Sequence, residues 1–246
     1  FISRRYPNSL FTIFTEFSKY IYLKLNFDKK NKYYKKRIKN LIHSFKGKSL
    51  YTKLKDIENN ILLFALNIPT DSQILVRTSY YNDFIALISI VANCLPENYT
   101  LVIREHPAYP GMLNRKDLSI LLKKYKNVKF VSEKYSFFEM INRSKSVLII
   151  NNTSYFESIL MGKPVIALGK GLFSGQNILN EVNSFDKLYD TIVNPKVKPD
   201  KSRLIKMLVK LYKETFPNYV DEVVKSKIDY TIEGILLKIK MHYPNL

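Results

Sequence analysis

The 246-residue chain has no tryptophan, a single cysteine (Cys94), three histidines (His43, His106 and His242) and seven glycines. A lone cysteine excludes a disulfide scaffold. It also excludes a thiolate zinc site, and three scattered histidines disfavour a histidine-rich metal centre. Acid is scarce: 21 Asp+Glu against 40 Lys+Arg leave a formal net charge of +19. Long apolar runs are missing as well. The best candidate, residues 10–27, is broken by Glu16, Lys19 and Lys24, short of the roughly 18–20 unbroken apolar residues that span a bilayer. No secretory signal is visible. The first residue is Phe1 rather than Met, so the chain reads as a piece of something longer.

What is present is an ordinary globular composition, 46% hydrophobic and 25% charged. That excludes disorder as the main state and supplies a sizeable core. The basic balance fits an anionic partner: nucleic acid, an anionic membrane surface or an anionic substrate. The plainer reading is an AT-rich genome, which favours Lys, Asn, Ile, Tyr and Phe together.

The chain reads as three parts. Residues 1–59 form a basic helical segment. Within it, Phe11, Phe14, Phe17, Ile21 and Leu25 share a helical face. Residues 28–48 then carry nine Lys/Arg interleaved with Tyr33, Tyr34, Ile38, Leu41 and Ile42. A solvated helix face explains that run; contact with anionic lipid or a polyanionic acceptor is the sharper reading. Residues 60–198 alternate short apolar strands with helices. Strands are expected at Ile61–Leu66, Thr100–Arg104, Val128–Val131, Val147–Ile150 and Pro164–Leu168. Helices are expected at Tyr81–Cys94, Leu118–Tyr125, Ser136–Arg143 and Ser154–Met161. Residues 199–246 read as two helices, 200–215 and 219–241. This alternation predicts an α/β fold with a Rossmann-like parallel sheet and helices on both faces.

In such sheets, ligands bind beyond the carboxyl ends of the strands, so the residues after each strand carry the functional information. They are Asp71-Ser72-Gln73, Glu105-His106-Pro107, Asn151-Asn152-Thr153-Ser154 and Gly169-Lys170-Gly171. A histidine at a strand end can donate to a phosphate oxygen or act as an acid for a leaving phosphate. A helix beginning at Thr153-Ser154 presents N–H groups to an anion. The same residues also spell a capping box, with Ser154 at the N-cap and Glu157 three residues on. Gly169 allows a close backbone approach. The patterns GxxxxGK[ST], GxGxxG, GxSxG and HExxH are all absent. That disfavours P-loop nucleotidases, classical dinucleotide enzymes, serine hydrolases and zinc peptidases.

The ordered set is Asp71-Ser72-Gln73, Arg104-Glu105-His106-Pro107, Asn151-Asn152-Thr153-Ser154-Tyr155-Phe156-Glu157, Gly162-Lys163-Pro164-Val165 and Gly169. Over roughly residues 60–175 it resembles the capsule polysaccharide synthesis family of bacterial glycosyltransferases, which includes Kdo transferases. That family's pattern is K-x-H-P, then N-S-T-x-x-x-E-A, then G-x-P-V-x-x-x-G. Here Arg104, Asn152 and Tyr155 stand where the family has Lys, Ser and often Gly. The resemblance implies the C-terminal, donor-binding domain of a GT-B fold. It implies transfer of Kdo or a related acidic sugar from a CMP-activated donor, with neither metal nor cofactor. His106 would be the catalytic contact to the nucleotide phosphate. Asn151, Asn152, Thr153 and Ser154 would hold phosphate or nucleoside, Glu157 the ribose, and Glu105 and Gly169 would complete the donor site.

The implied partners are a nucleotide sugar, a polysaccharide or glycolipid acceptor and the inner face of an anionic membrane, with no nucleic acid. The single Cys and the lack of a visible signal point to the cytoplasm, with peripheral contact at the inner face of the cell membrane as the further expectation. The GT-B architecture also implies an acceptor domain of ordinary size, roughly 100 residues or more. The 59 residues before Asn60 do not provide it and read as a remnant. Polyol-phosphate transfer from CDP-glycerol is the alternative activity, and a catalytically incomplete nucleotide-binding module is the non-enzymatic one.

Overall fold

The computed structural model describes residues 47–57, 60–107 and 109–214, with isolated helical positions between 17 and 42. The expected helices at 10–25 and 28–48 lie outside the described residues apart from those positions, and the helix at 219–241 lies wholly outside them. The chain divides into two compact units, residues 1–200 and 201–246.

The first unit is built on a six-stranded parallel sheet. Its strands are β1 (Asn60–Ala65), β2 (Tyr99–Arg104), β3 (Val128–Val131), β4 (Ser146–Ile149), β5 (Val165–Ala167) and β6 (Asn180–Glu181). The first five are near-continuous runs of β-branched and aliphatic residues, as strands covered on both sides require. Every residue of β2, β4 and β5 is buried. Leu62 aligns with Leu101 and Phe64 with Ile103 across β1 and β2. All four side chains are wholly buried and join Ile74, Ile88 and Phe130 in one core cluster.

Helices fill the connections: α1 (Ser72–Leu75), α2 (Phe84–Asn93), α3 (Arg115–Lys124), α4 (Phe137–Arg143), α5 (Ser154–Leu160) and α6 (Leu188–Val193). Local chemistry sets their ends. Asp71, Asp83 and Asn114 accept from the backbone N–H of Gln73, Ala86 and Lys116 at 2.9, 3.0 and 2.9 Å, the side-chain cap that satisfies orphan helix donors. The Asp83 cap starts α2 at Phe84, three residues after the expected Tyr81. Gly162, at φ +73°, closes α5. Its N–H donates to Ile159 O and that of Lys163 to Ser158 O, both at 2.9 Å, which is the Schellman pattern. The second unit contributes α7 (Lys201–Glu214), against an expected 200–215. No helix among the described residues is long and apolar enough to cross a membrane.

The strand order is β3-β2-β1-β4-β5-β6. The chain runs outward from β1 to β3, then returns to the other side of β1 for β4. The order therefore reverses between β1 and β4, and the connections leaving their carboxyl ends diverge. A crevice opens there by topology alone.

Candidate functional site

A cavity of about 190 Å³ lies at this switch point. The loops after β1 and β4 supply Asn67, Ile68, Asn151, Asn152 and Thr153, and the loop after β2 supplies His106. Asp71 and Gln73 enter from the start of α1, Tyr155 and Phe156 from the first turn of α5, and Leu172 and Phe173 from the loop after β5. A larger concavity, about 610 Å³, sits at the β6 edge around Lys187, Asp190 and Lys196. Position favours the smaller one, because it alone gathers the carboxyl ends of β1, β2 and β4.

The polar floor is an amide cluster. Asn67 Nδ2 donates to Asn151 Oδ1 at 3.1 Å. Asn151 Nδ2 donates to Gln73 O at 2.9 Å and to Thr78 Oγ1 at 3.4 Å. Asn152 Nδ2 donates to Ala65 O at 2.7 Å and to Asn67 Oδ1 at 3.2 Å. Three asparagine side chains thus bind the ends of β1 and β4 to the α1 loop. Their first task is structural: they satisfy backbone groups where two strands part.

The capping box is not formed. Thr153, in the right-handed helical region, occupies the N-cap of α5 without a side-chain cap bond. Asn152 Oδ1 accepts the Ser154 N–H at 3.1 Å instead, an Asx-type turn one residue earlier. Glu157 does not reach back, and its Oε2 is buried without a hydrogen-bond partner. The Phe156 N–H already donates to Thr153 O at 3.0 Å. Two donors of the first turn are therefore engaged within the chain, and Thr153, an exposed residue, lines the cavity.

Of the eight residues expected at the site, His106, Asn151, Asn152 and Thr153 line the cavity. Glu105, Ser154, Glu157 and Gly169 are not among its lining residues. Glu105 is 1% exposed and holds its own loop through Gly111, Leu113 and Arg115. Gly169 is required by packing: a Cβ there would lie 2.6 Å from Thr78 Cγ2 and 3.2 Å from Ile150 O. The residues that sequence reading missed are Asn67, Ile68, Leu172 and Phe173. The signal for the first pair was available, since Asn67 and Ile68 lie just after β1, the strand at the reversal, beyond Leu66.

The aromatic wall has one unusual member. The Tyr155 ring lies 4.0 Å from that of Phe156 and meets Phe173 edge-on at 5.2 Å. Tyr155 is 3% exposed, and its hydroxyl has no hydrogen-bond partner. Burial pushes its pKa up to about 12. A buried hydroxyl without a partner costs roughly 1–3 kcal/mol. Tyr155→Phe is therefore expected to stabilise the fold, by about 1 kcal/mol at neutral pH, read from the urea midpoint. The pH dependence has a definite sign. A folded-state pKa above the unfolded value means that the Tyr155 contribution is complete below pH 10 and is lost as pH rises towards 12. The wild type should therefore lose stability faster than Tyr155→Phe across that window, by at most about 1.4 kcal/mol per pH unit.

Known proteins are similar to parts of this chain. Protein FixF of Sinorhizobium fredii (strain NBRC 101917 / NGR234) is 25% identical over 135 residues, which is 54% of this chain and 32% of that protein. KpsC of Thermosulfurimonas dismutans, described as a beta Kdo 2,7 transferase, superposes at a TM-score of 0.42 with 16% identity, covering 70% of this chain and 62% of that one. The KpsC beta Kdo 2,4 transferase superposes at 0.43 with 11% identity, covering 64% and 47%. The chain thus spans less than two thirds of the length of each. The family described as "Capsule polysaccharide biosynthesis protein" matches residues 2–219, most of the chain and the whole of its parallel sheet, and the protein belongs to that family.

Proposed function

We propose that the first unit is the donor-binding part of a GT-B glycosyltransferase of surface-polysaccharide synthesis. Its substrate would be a nucleotide sugar, specifically Kdo or a related acidic sugar linked to CMP. The observation that carries this reading is the placement of His106 and Thr153 together at the sheet's switch point, in a chain of the capsule polysaccharide family.

In this reading the His106 imidazole and the Thr153 hydroxyl donate to the CMP phosphate. The anomeric carbon–oxygen bond to phosphate breaks, and the electron pair leaves with CMP. The acceptor hydroxyl oxygen forms the new bond to the anomeric carbon, and its proton passes to a general base. Donors fixed before the charge develops on the leaving phosphate are the term that usually dominates such catalysis. The acceptor would be a growing polysaccharide or glycolipid. The nine Lys/Arg of residues 28–48 support peripheral contact with an anionic membrane.

Calorimetric titration with CMP, CDP and UDP tests the reading. CMP is expected to bind selectively, and His106→Ala to weaken it by about 1.5–3 kcal/mol, the scale of a hydrogen bond to a charged group. Preference for CDP would move the reading to polyol-phosphate transfer, and preference for UDP would replace the donor. A folded sample that binds none of the three would remove the donor-site assignment.

A further inference from the structure

We propose that Glu105 is a positioning residue: its buried carboxylate, stapled to Arg115, fixes the backbone that carries His106. The proposal deepens the donor-site reading and rests on it for the role of His106.

Glu105 and His106 are consecutive at the carboxyl end of β2. Both lie just beyond the strand, and their side chains part. His106 lines the cavity, whereas Glu105 turns inward and is 1% exposed. Four donors converge on its carboxylate. The Gly111 N–H reaches Oε2 at 2.9 Å and the Leu113 N–H reaches Oε1 at 2.8 Å. Arg115 Nη1 reaches Oε1 at 3.0 Å and Nη2 reaches Oε2 at 2.8 Å.

All four come from the far end of the loop that His106-Pro107 begins. The chain enters this loop at Glu105 and leaves it at Arg115, and the carboxylate ties the two ends together. Inside the loop the Tyr109 N–H donates to His106 O at 2.8 Å. Gly111, at φ +78°, makes the return turn that few other residues tolerate. The anchor is itself held in place. The Arg115 guanidinium sits 5.1 Å over the Phe130 ring, and Phe130 stacks on Tyr51 at 5.0 Å.

Stability alone does not call for this arrangement. A buried ion pair is often no more stabilising than apolar residues of the same volume. What a bidentate guanidinium–carboxylate fork adds is direction: two parallel hydrogen bonds fix both planes. Here the fixed plane lies one residue from the histidine that meets the ligand. The geometry is that of a brace for a binding group.

The test uses the full chain with 13Cε1-labelled histidine. Its three histidine resonances are sorted by the loss of one signal in His106→Ala. Glu105→Gln keeps the side-chain shape but places an amide NH2 against the guanidinium. Arg115→Lys keeps the charge and removes the fork, and it decides the matter if Glu105→Gln does not fold. In a folded variant the His106 resonance is expected to shift and broaden while those of His43 and His242 stay in place. CMP affinity should fall by roughly fivefold or more, as for residues in contact. In a His106→Ala background the second substitution should cost no further affinity. An unmoved His106 resonance, or losses that simply add, would overturn the proposal. Absence of CMP binding by the wild type would sink the donor-site reading, and the His106 resonance would still decide the positioning role.

Discussion

Replacing Arg115 with methionine is expected to lower folding stability by about 3–5 kcal/mol, the cost of removing one partner from a buried ion pair. Glu105 is the reason. Its carboxylate keeps the two backbone donors Gly111 and Leu113 but loses the only cation bonded to it among the described residues. The negative charge is then left in the interior, 1% exposed. The methionine still covers Phe130, so the loss is electrostatic rather than one of packing. Against a total stability of about 5–15 kcal/mol, such a loss is large. The neighbouring substitution Lys116→Met is the control: Lys116 is exposed, and its removal should fall within about 0.5 kcal/mol. Urea unfolding of the two variants side by side makes the comparison. A loss for Arg115→Met no larger than that of Lys116→Met would show that the carboxylate does not depend on its guanidinium.

The second large effect is expected at Asn151. Asn151→Ala should cost about 1–3 kcal/mol, the cost of one buried polar group left without a partner. One group is orphaned and two others lose one of their bonds. Asn67 Nδ2 loses its acceptor, in a residue 2% exposed. The Gln73 carbonyl loses a donor, and so does the Thr78 hydroxyl. Thr78 Oγ1 and Gln73 O stay bonded to each other at 2.8 Å, so neither of them is left without a partner. Thermal or urea unfolding reads the loss. A cost under about 1 kcal/mol would mean that water takes over the vacated bonds.

The sheet was readable because its strands are apolar runs ended by sharp breaks. Val128–Val131 falls where the sequence places it, and β1, β2, β4 and β5 differ from expectation by one or two residues at their ends. β6 was not readable: Asn180-Glu181 is a two-residue polar strand whose pairing is decided by the neighbouring β5. α1, four residues long, and α6, six, are too short for a helical period to show. At the candidate site, His106, Asn151, Asn152 and Thr153, all read at strand ends, line one cavity. Sequence spacing does not say which way a side chain turns. Glu105 and Glu157 carry the chemistry of ligand contacts, yet one carboxylate faces its own loop and the other has an oxygen shut away from solvent. Tyr155 falls in a segment legible as a site, but its orphaned hydroxyl is a product of tertiary packing that no local pattern announces.

The two halves of the sheet, β1–β3 and β4–β6, are joined by a short seam. β1 and β2 share six residue pairs, but β1 and β4 share three: Leu62 with Ser146, Leu63 with Val147 and Phe64 with Leu148. The seam also closes a long stretch of chain, a step that sequence-local pairing does not face. The asparagine cluster sits at its carboxyl end and bridges residues 84 apart, Asn67 and Asn151. The crevice therefore does not exist in either half alone; it comes into being when the halves join. Amide hydrogen exchange should register this as an opening of the β1–β4 seam at lower free energy than the β1–β2 ladder. A ligand in the crevice should slow exchange at the seam while leaving the ladder between β2 and β3 unchanged. Occupancy and completeness of the fold would then be two readings of one equilibrium.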